Sequence, residues 1–142
     1  MSQFPTPPGS YLATSRDVSF GPSAKTPGCY TLKATCQRVD GSWAASEMEF
    51  GIMNNDGRLE WNPTEDKGAG YTYPEVPEGL PAGTYLHSTA NAKLHDNGGG
   101  GAAPFTLTGV ANNRAGAPCD ASMNYDIANC DGTLKFNPKY GC

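Results

Sequence analysis

The chain has 142 residues, 18 of them Gly and 12 Pro, with 37% hydrophobic and 17% charged residues. No apolar run nears the roughly 20 residues of a membrane-spanning helix, and ten basic against fourteen acidic residues leave a net charge of −4. That balance excludes the basic stripe of a nucleic-acid binder, and the length predicts one domain, residues 1–142, that buries its core without staples.

Met1-Ser2-Gln3-Phe4-Pro5 has neither the charged segment nor the apolar segment of a secretory signal. The expectation is a cytoplasmic or non-classically secreted protein, with secretion after removal of a signal as the alternative. Tyr30 to Thr35 alternates large apolar and polar residues, the pattern of a half-buried strand. Met48 and Phe50 alternate with Glu47 and Glu49, which predicts a second strand with one wet face. The two carboxylates read as that solvated face rather than as a catalytic pair. Ile52 to Trp61 then carries Asp56-Gly57 between alternating residues, and Asp-Gly supplies the two positive-φ positions of a type I′ hairpin turn. Asn62-Pro63 closes the unit, because Pro cannot donate to a continuing ladder. Residues 64–83 (TEDKGAGYTYPEVPEGLPAG) read as a long, partly extended connector. Gly98 to Gly101 reads as a flexible loop, and it lacks the Gly-Lys-Ser/Thr of a phosphate-binding loop. Ile127 to Phe136 repeats the hairpin pattern around Asp131-Gly132, again followed by Asn-Pro.

Those echoes form an internal repeat. Tyr30–Pro63 aligns without gaps to Phe105–Pro138 at an offset of 75, with eleven of 34 positions identical. Among them are Ile52/Ile127, Asn54/Asn129, Asp56/Asp131, Gly57/Gly132 and Leu59/Leu134. Upstream, Ser10-Tyr11-Leu12 matches Thr84-Tyr85-Leu86 at offset 74. Repeat one thus runs over about residues 10–63, the connector over 64–83, and repeat two over about 84–138. Two copies are too few for a solenoid, so a pseudo-symmetric pair sharing one core is expected. With no convincing helical periodicity, the chain is predicted to be all-β.

The five cysteines, Cys29, Cys36, Cys119, Cys130 and Cys142, are an odd set without Cys-x-x-Cys, and the two histidines, His87 and His95, do not stand beside them. That argues against a zinc site, and no cofactor is expected. The pairing of Cys130, with Cys119 or Cys142 or as a buried thiol, stays open. Trp43, Trp61 and Phe136 read as packing residues.

Cys36-Gln37-Arg38-Val39-Asp40-Gly41-Ser42-Trp43 with Ile52–Pro63 resembles the first repeat of a cyanovirin-N homologue, and Tyr125–Phe136 resembles that family's C-terminal hairpin. The resemblance covers both repeats. It implies triple-stranded sheets and hairpins, the hairpin of one repeat packing on the sheet of the other. It also implies a lectin without catalysis that binds α1,2-linked mannose on high-mannose glycans, as a monomer or a domain-swapped dimer. The family's two disulfides would fall at Ser15 with Cys36 and about Thr89 with Ala111, so neither can form here, and the connector is about twenty residues longer than the family's.

Residue by residue, the resemblance places one sugar site at Asn54, Asp56, Thr64, Glu65, Asn112, Asn113 and Arg114. The other falls at Thr14, Gln37, Asp40, Asn129 and Asp131. Vicinal hydroxyls of a pyranose both donate and accept, which suits carboxylates, amides and backbone groups on rigid turns. The competing reading gives Asn54/Asp56 and Asn129/Asp131 to the turns themselves, since both residue types bond their own backbone. A protein-interaction or effector module that kept the fold and lost the sugar is the functional alternative.

Overall fold

The computed structural model describes residues 4–97 and 104–140; the glycine run at 98–101 and Cys142 lie outside the described residues. Strands β1 (Ser15–Pro22), β2 (Tyr30–Gln37) and β3 (Trp43–Phe50) form one antiparallel three-stranded sheet in chain order. Hairpin β4 (Ile52–Asn55) and β5 (Arg58–Trp61) follows. The second repeat rebuilds the set as β6 (Thr89–Asp96), β7 (Phe105–Asn112) and β8 (Pro118–Tyr125), then hairpin β9 (Ile127–Cys130) and β10 (Thr133–Phe136). The all-β reading holds, with a one-turn helix α1 at Asn137–Tyr140 and 3₁₀ turns at Ser10–Thr14 and Thr84–His87. Pro138 therefore does more than end a ladder. Its fixed φ and missing N–H suit the first turn of that helix.

Both hairpin turns have the predicted backbone: φ is 52° at Asp56 and 89° at Gly57, 51° at Asp131 and 92° at Gly132. The repeat extends to irregularities. β1 shifts register against β2 between Arg16 and Ser19, and β6 against β7 between Ala90 and Lys93. Asp17 and Asn91, both at positive φ, stand at these bulges, and Asp and Asn tolerate that conformation better than most residues.

Each hairpin crosses to the other repeat. β10 lies against β3, where Ser46 Oγ accepts from the Leu134 N–H at 2.9 Å, and β5 lies against β8. Trp61 stacks on Phe136 at 4.1 Å with the planes 3° apart, so the two hairpins meet in one core. Four fully buried tyrosines, Tyr11, Tyr30, Tyr85 and Tyr125, surround the join. The Tyr11 hydroxyl donates to Pro7 O and the Tyr85 hydroxyl to Pro81 O, each at 2.6 Å. Between those residues lie Gly9 and Gly83. A Cβ would sit 2.8 Å from Ile127 O at the first and 2.4 Å from Ile52 O at the second, so both positions must be glycine for the backbones to approach.

The connector is more than a linker. Val76 and Ala82 are buried in the core, and Tyr73 packs against it beside Tyr30 and Phe4. Tyr73 is fixed at its hydroxyl, which donates to Cys29 O and accepts from the Gly28 N–H, both at 3.1 Å.

Candidate functional site

The hairpin tips carry the predicted residues, and each tip is tied to the opposite sheet by its own Asn and Asp. At the first tip Asn54 Oδ1 accepts the Gly57 N–H at 2.8 Å, which closes the turn. Asn54 Nδ2 donates across the molecule to Ser88 Oγ and to Asn112 O, both at 2.8 Å. Asp56 Oδ1 accepts the Arg114 N–H at 2.9 Å. The second tip repeats every bond. Asn129 Oδ1 accepts from Gly132 at 2.7 Å, and Asn129 Nδ2 donates to Thr14 Oγ1 at 2.9 Å and Gln37 O at 2.8 Å. Asp131 Oδ1 accepts the Val39 N–H at 2.9 Å. The two asparagine amides are thus fully engaged in the architecture, and each Asp keeps one oxygen toward solvent.

The remaining predicted residues divide. Asn113 and Asp40 shape the turns after β7 and β2. Asn113 Oδ1 accepts from the Ala115 and Ala117 N–H groups at 3.0 and 2.9 Å, and Asp40 Oδ1 from the Ser42 N–H and hydroxyl at 2.9 and 2.6 Å. The Ser42 hydrogen bonds hold the Asp40 carboxyl below its ordinary range. Thr64 turns back on Asn62 Oδ1, through its N–H at 3.1 Å and its hydroxyl at 2.9 Å. Glu65 folds toward the first hairpin, accepting from Thr84 Oγ1 at 2.7 Å and pairing with Lys67 Nζ at 3.0 Å. In the second repeat the fully buried Asp126 plays the corresponding part, accepting the Ser10 N–H at 2.7 Å and hydroxyl at 2.6 Å. Repeat one has Gly51 at that offset, and Glu65 supplies the carboxylate from the connector instead.

What each tip leaves for a ligand differs. The first tip ends in the free oxygen of Asp56, the exposed Asn112 and the Arg114 side chain, whose guanidinium has no partner among the described residues. At the second, Arg114 is replaced by Val39, 91% exposed, which offers no polar group of its own side chain. Sequence reasoning missed Ser88, although the 74-residue offset maps it onto Thr14. Glu49 is also less free than a solvated face suggests, accepting from the Thr31 hydroxyl at 2.6 Å and from Ser23. Trp61 and Phe136 are core residues as read, whereas Trp43 is 38% exposed beneath the Arg16 guanidinium at 3.9 Å.

Ser15 pairs with Cys36 and Thr89 with Ala111 across their sheets, the two places where the resemblance implied bridges. Cys29, Cys36 and Cys119 are free thiols, and Cys130 is in a disulfide. Among the described residues no cluster of three or more His, Cys, Asp or Glu is placed to hold a metal, and no helix is long and apolar enough to cross a membrane.

An all-β chain of two interlocked sheet-and-hairpin units, each tip tied to the other's sheet, defines the class of protein. The model of the CVNH domain matches residues 11–135, so the chain belongs to the cyanovirin-N homologues, a family of carbohydrate-binding lectins. Among solved structures it is similar to the CVNH protein of Gibberella zeae, at 21% identity over 92% of this chain and 99% of that one, TM-score 0.45. It is also similar to microvirin in a mannobiose complex, at 18% identity over 91% and 99%, TM-score 0.44. A MoCVNH3 variant in complex with (N-GlcNAc)4 matches at 17% identity over 90% and 97%, TM-score 0.39. No curated protein sequence matches the chain significantly.

Proposed function

We propose that this protein binds mannose-containing glycans without catalysis, with its stronger site at the first hairpin tip. Membership of a lectin family supports the carbohydrate, and one observation carries the choice of site. Asp56 takes the Arg114 backbone N–H, which sets at this tip a residue whose guanidinium has no partner among the described residues, where the second tip has Val39. A carboxylate and a guanidinium on rigid turns serve the acceptor and donor roles of adjacent hydroxyls. Such a shallow, wet site binds weakly alone, and a second weaker tip adds avidity on a branched glycan.

NMR titration with α1,2-mannobiose tests the reading. Amides near residues 54–56 and 112–114 shift at the lowest concentrations, and Arg114→Ala weakens binding by one to two decades. That is the worth of a lost charged hydrogen bond of roughly 1.5–3 kcal/mol. First shifts near Asn129 and Asp131, with Arg114→Ala binding normally, would reverse the ranking of the sites. Silence with mannobiose and with an N-acetylglucosamine tetramer would favour a protein-interaction module.

A further inference from the structure

Asp126 is the one charged side chain in the buried interior among the described residues, and neither tip uses it directly. No Lys, Arg or His there forms an ion pair with it. Its carboxylate is held instead by Ser10, through the N–H at 2.7 Å and the hydroxyl at 2.6 Å. Those are the lengths of charge-assisted bonds, and a carboxylate removed from water depends on them. Ser10 opens the 3₁₀ turn Ser10–Thr14. At the far end of that turn Thr14 Oγ1 takes the Asn129 amide at 2.9 Å, and Asn129 closes the second tip onto Gly132. Carboxylate, turn and tip are thus one connected network.

The first repeat builds the same network from other residues. Thr84 opens the 3₁₀ turn Thr84–His87, and its hydroxyl donates to Glu65 Oε1 at 2.7 Å. Ser88, which caps that turn, takes the Asn54 amide at 2.8 Å, and Asn54 closes the first tip onto Gly57. Ser10 Oγ and Thr84 Oγ1 also lie 3.4 Å from Ile127 O and Ile52 O, at the first residues of the two hairpins. The carboxylates have different origins: Asp126 directly precedes β9, and Glu65 comes from the connector. One bond reached from two unrelated positions points to the bond itself as what the tips require. A buried polar network with its members satisfied rigidifies what it joins.

We propose, resting on the glycan-binding reading above, that Ser10 with Asp126 and Thr84 with Glu65 are positioning residues, each pair setting the geometry of its own tip through a 3₁₀ turn. In this role neither hydroxyl touches the glycan. Each acts through Thr14 or Ser88 on the tip asparagine, and a binding turn must be held within about 0.5 Å of its productive geometry. Without the hydroxyl the turn drifts, and apparent affinity falls with the fraction of tips that stay competent. The effect is confined to one tip, because the two networks share no residue.

The test follows α1,2-mannobiose at both tips of the intact protein in one NMR titration. Thr84→Val keeps the shape of a buried side chain and removes its hydroxyl. It is expected to weaken binding at residues 54–56 and 112–114 about three- to tenfold, the worth of one hydrogen bond, with the second tip changing less than about twofold. Ser10→Ala is expected to do the reverse, weakening residues 37–39 and 129–132 and sparing the first tip. Ser10→Thr and Thr84→Ser exchange the hydroxyls of the two repeats and are expected to bind normally. An unchanged β-type circular dichroism spectrum confirms that each variant is folded. A merely structural role would lower stability and weaken both tips alike or neither. If Thr84→Val and Ser10→Ala bind normally at both tips, or weaken both together, the positioning role is refuted while the lectin reading stands. If the unsubstituted protein shows no shift with mannobiose or with an N-acetylglucosamine tetramer, both readings fall together.

Discussion

At the scale of single residues, the turn asparagines and aspartates hold different shares of the architecture. Asn54 fills its acceptor with Gly57 and its donors with Ser88 and Asn112, all at 2.8 Å. Asn54→Ala leaves the Gly57 N–H and Asn112 O without that partner in a half-buried place, and each such loss costs about 1–3 kcal/mol. The expected loss is about 2–4 kcal/mol in urea unfolding, with Asn129→Ala similar because its bonds are equivalent. Asp56→Asn keeps an acceptor for Arg114 and a residue type that tolerates φ of 52°, so less than about 1 kcal/mol is expected. A neutral Asn54→Ala would show that the cross-repeat amide bonds carry no stability. The contrast also makes Asp56→Asn the better probe of the tip, because it removes the charge and leaves the turn.

At the scale of elements, the sheets keep the register of a disulfide that the sequence has vacated. Ser15 stands opposite Cys36 with Oγ and Sγ 3.3 Å apart. Ser15→Cys is expected to oxidise spontaneously with Cys36, closing a loop of about 20 residues and adding about 3 kcal/mol in the chain-entropy account. The check is a urea midpoint that rises in the oxidised variant and returns on reduction; a thiol count unchanged under oxidant would refute the pairing. The hairpins themselves were legible in the sequence, because Asp-Gly at αL and strict alternation are local signals that appear twice. The connector was not. Tyr71, Tyr73 and Val76 follow no period of two or 3.6, and what Tyr73 touches, Cys29 and Tyr30, lies some forty residues upstream. Of the candidate site, the tip residues were legible through the resemblance. That Asn54 and Asn129 spend their amides on cross-repeat bonds depends on the crossing of hairpin and sheet, which no local pattern encodes.

At the scale of the whole molecule, both repeats feed one core, and its polar content sets how stability depends on pH. Tyr11 and Tyr30 come from the first repeat, Tyr85 and Tyr125 from the second, and all four are fully buried. Burial raises each phenol above its ordinary value of 10.0, and it pushes the Cys29 thiol up from 9.0 to about 11. The folded state therefore binds these protons more tightly than the unfolded chain does. Stability is fully present below about pH 9, where both states are protonated, and falls as pH rises, because unfolding releases protons. The urea midpoint is expected to hold steady between pH 7 and 8.5 as far as these groups are concerned, and to drop progressively from pH 9 to 12. Phenolate absorbance at 295 nm should rise together with loss of the far-ultraviolet β signal, in one step. Trp61 stacked on Phe136 gives neither hairpin a core of its own, so the repeats share that step. Four buried tyrosines ionising near pH 10 while the β signal persists would show that the core admits solvent, and two separate steps would show that the repeats hold their cores independently.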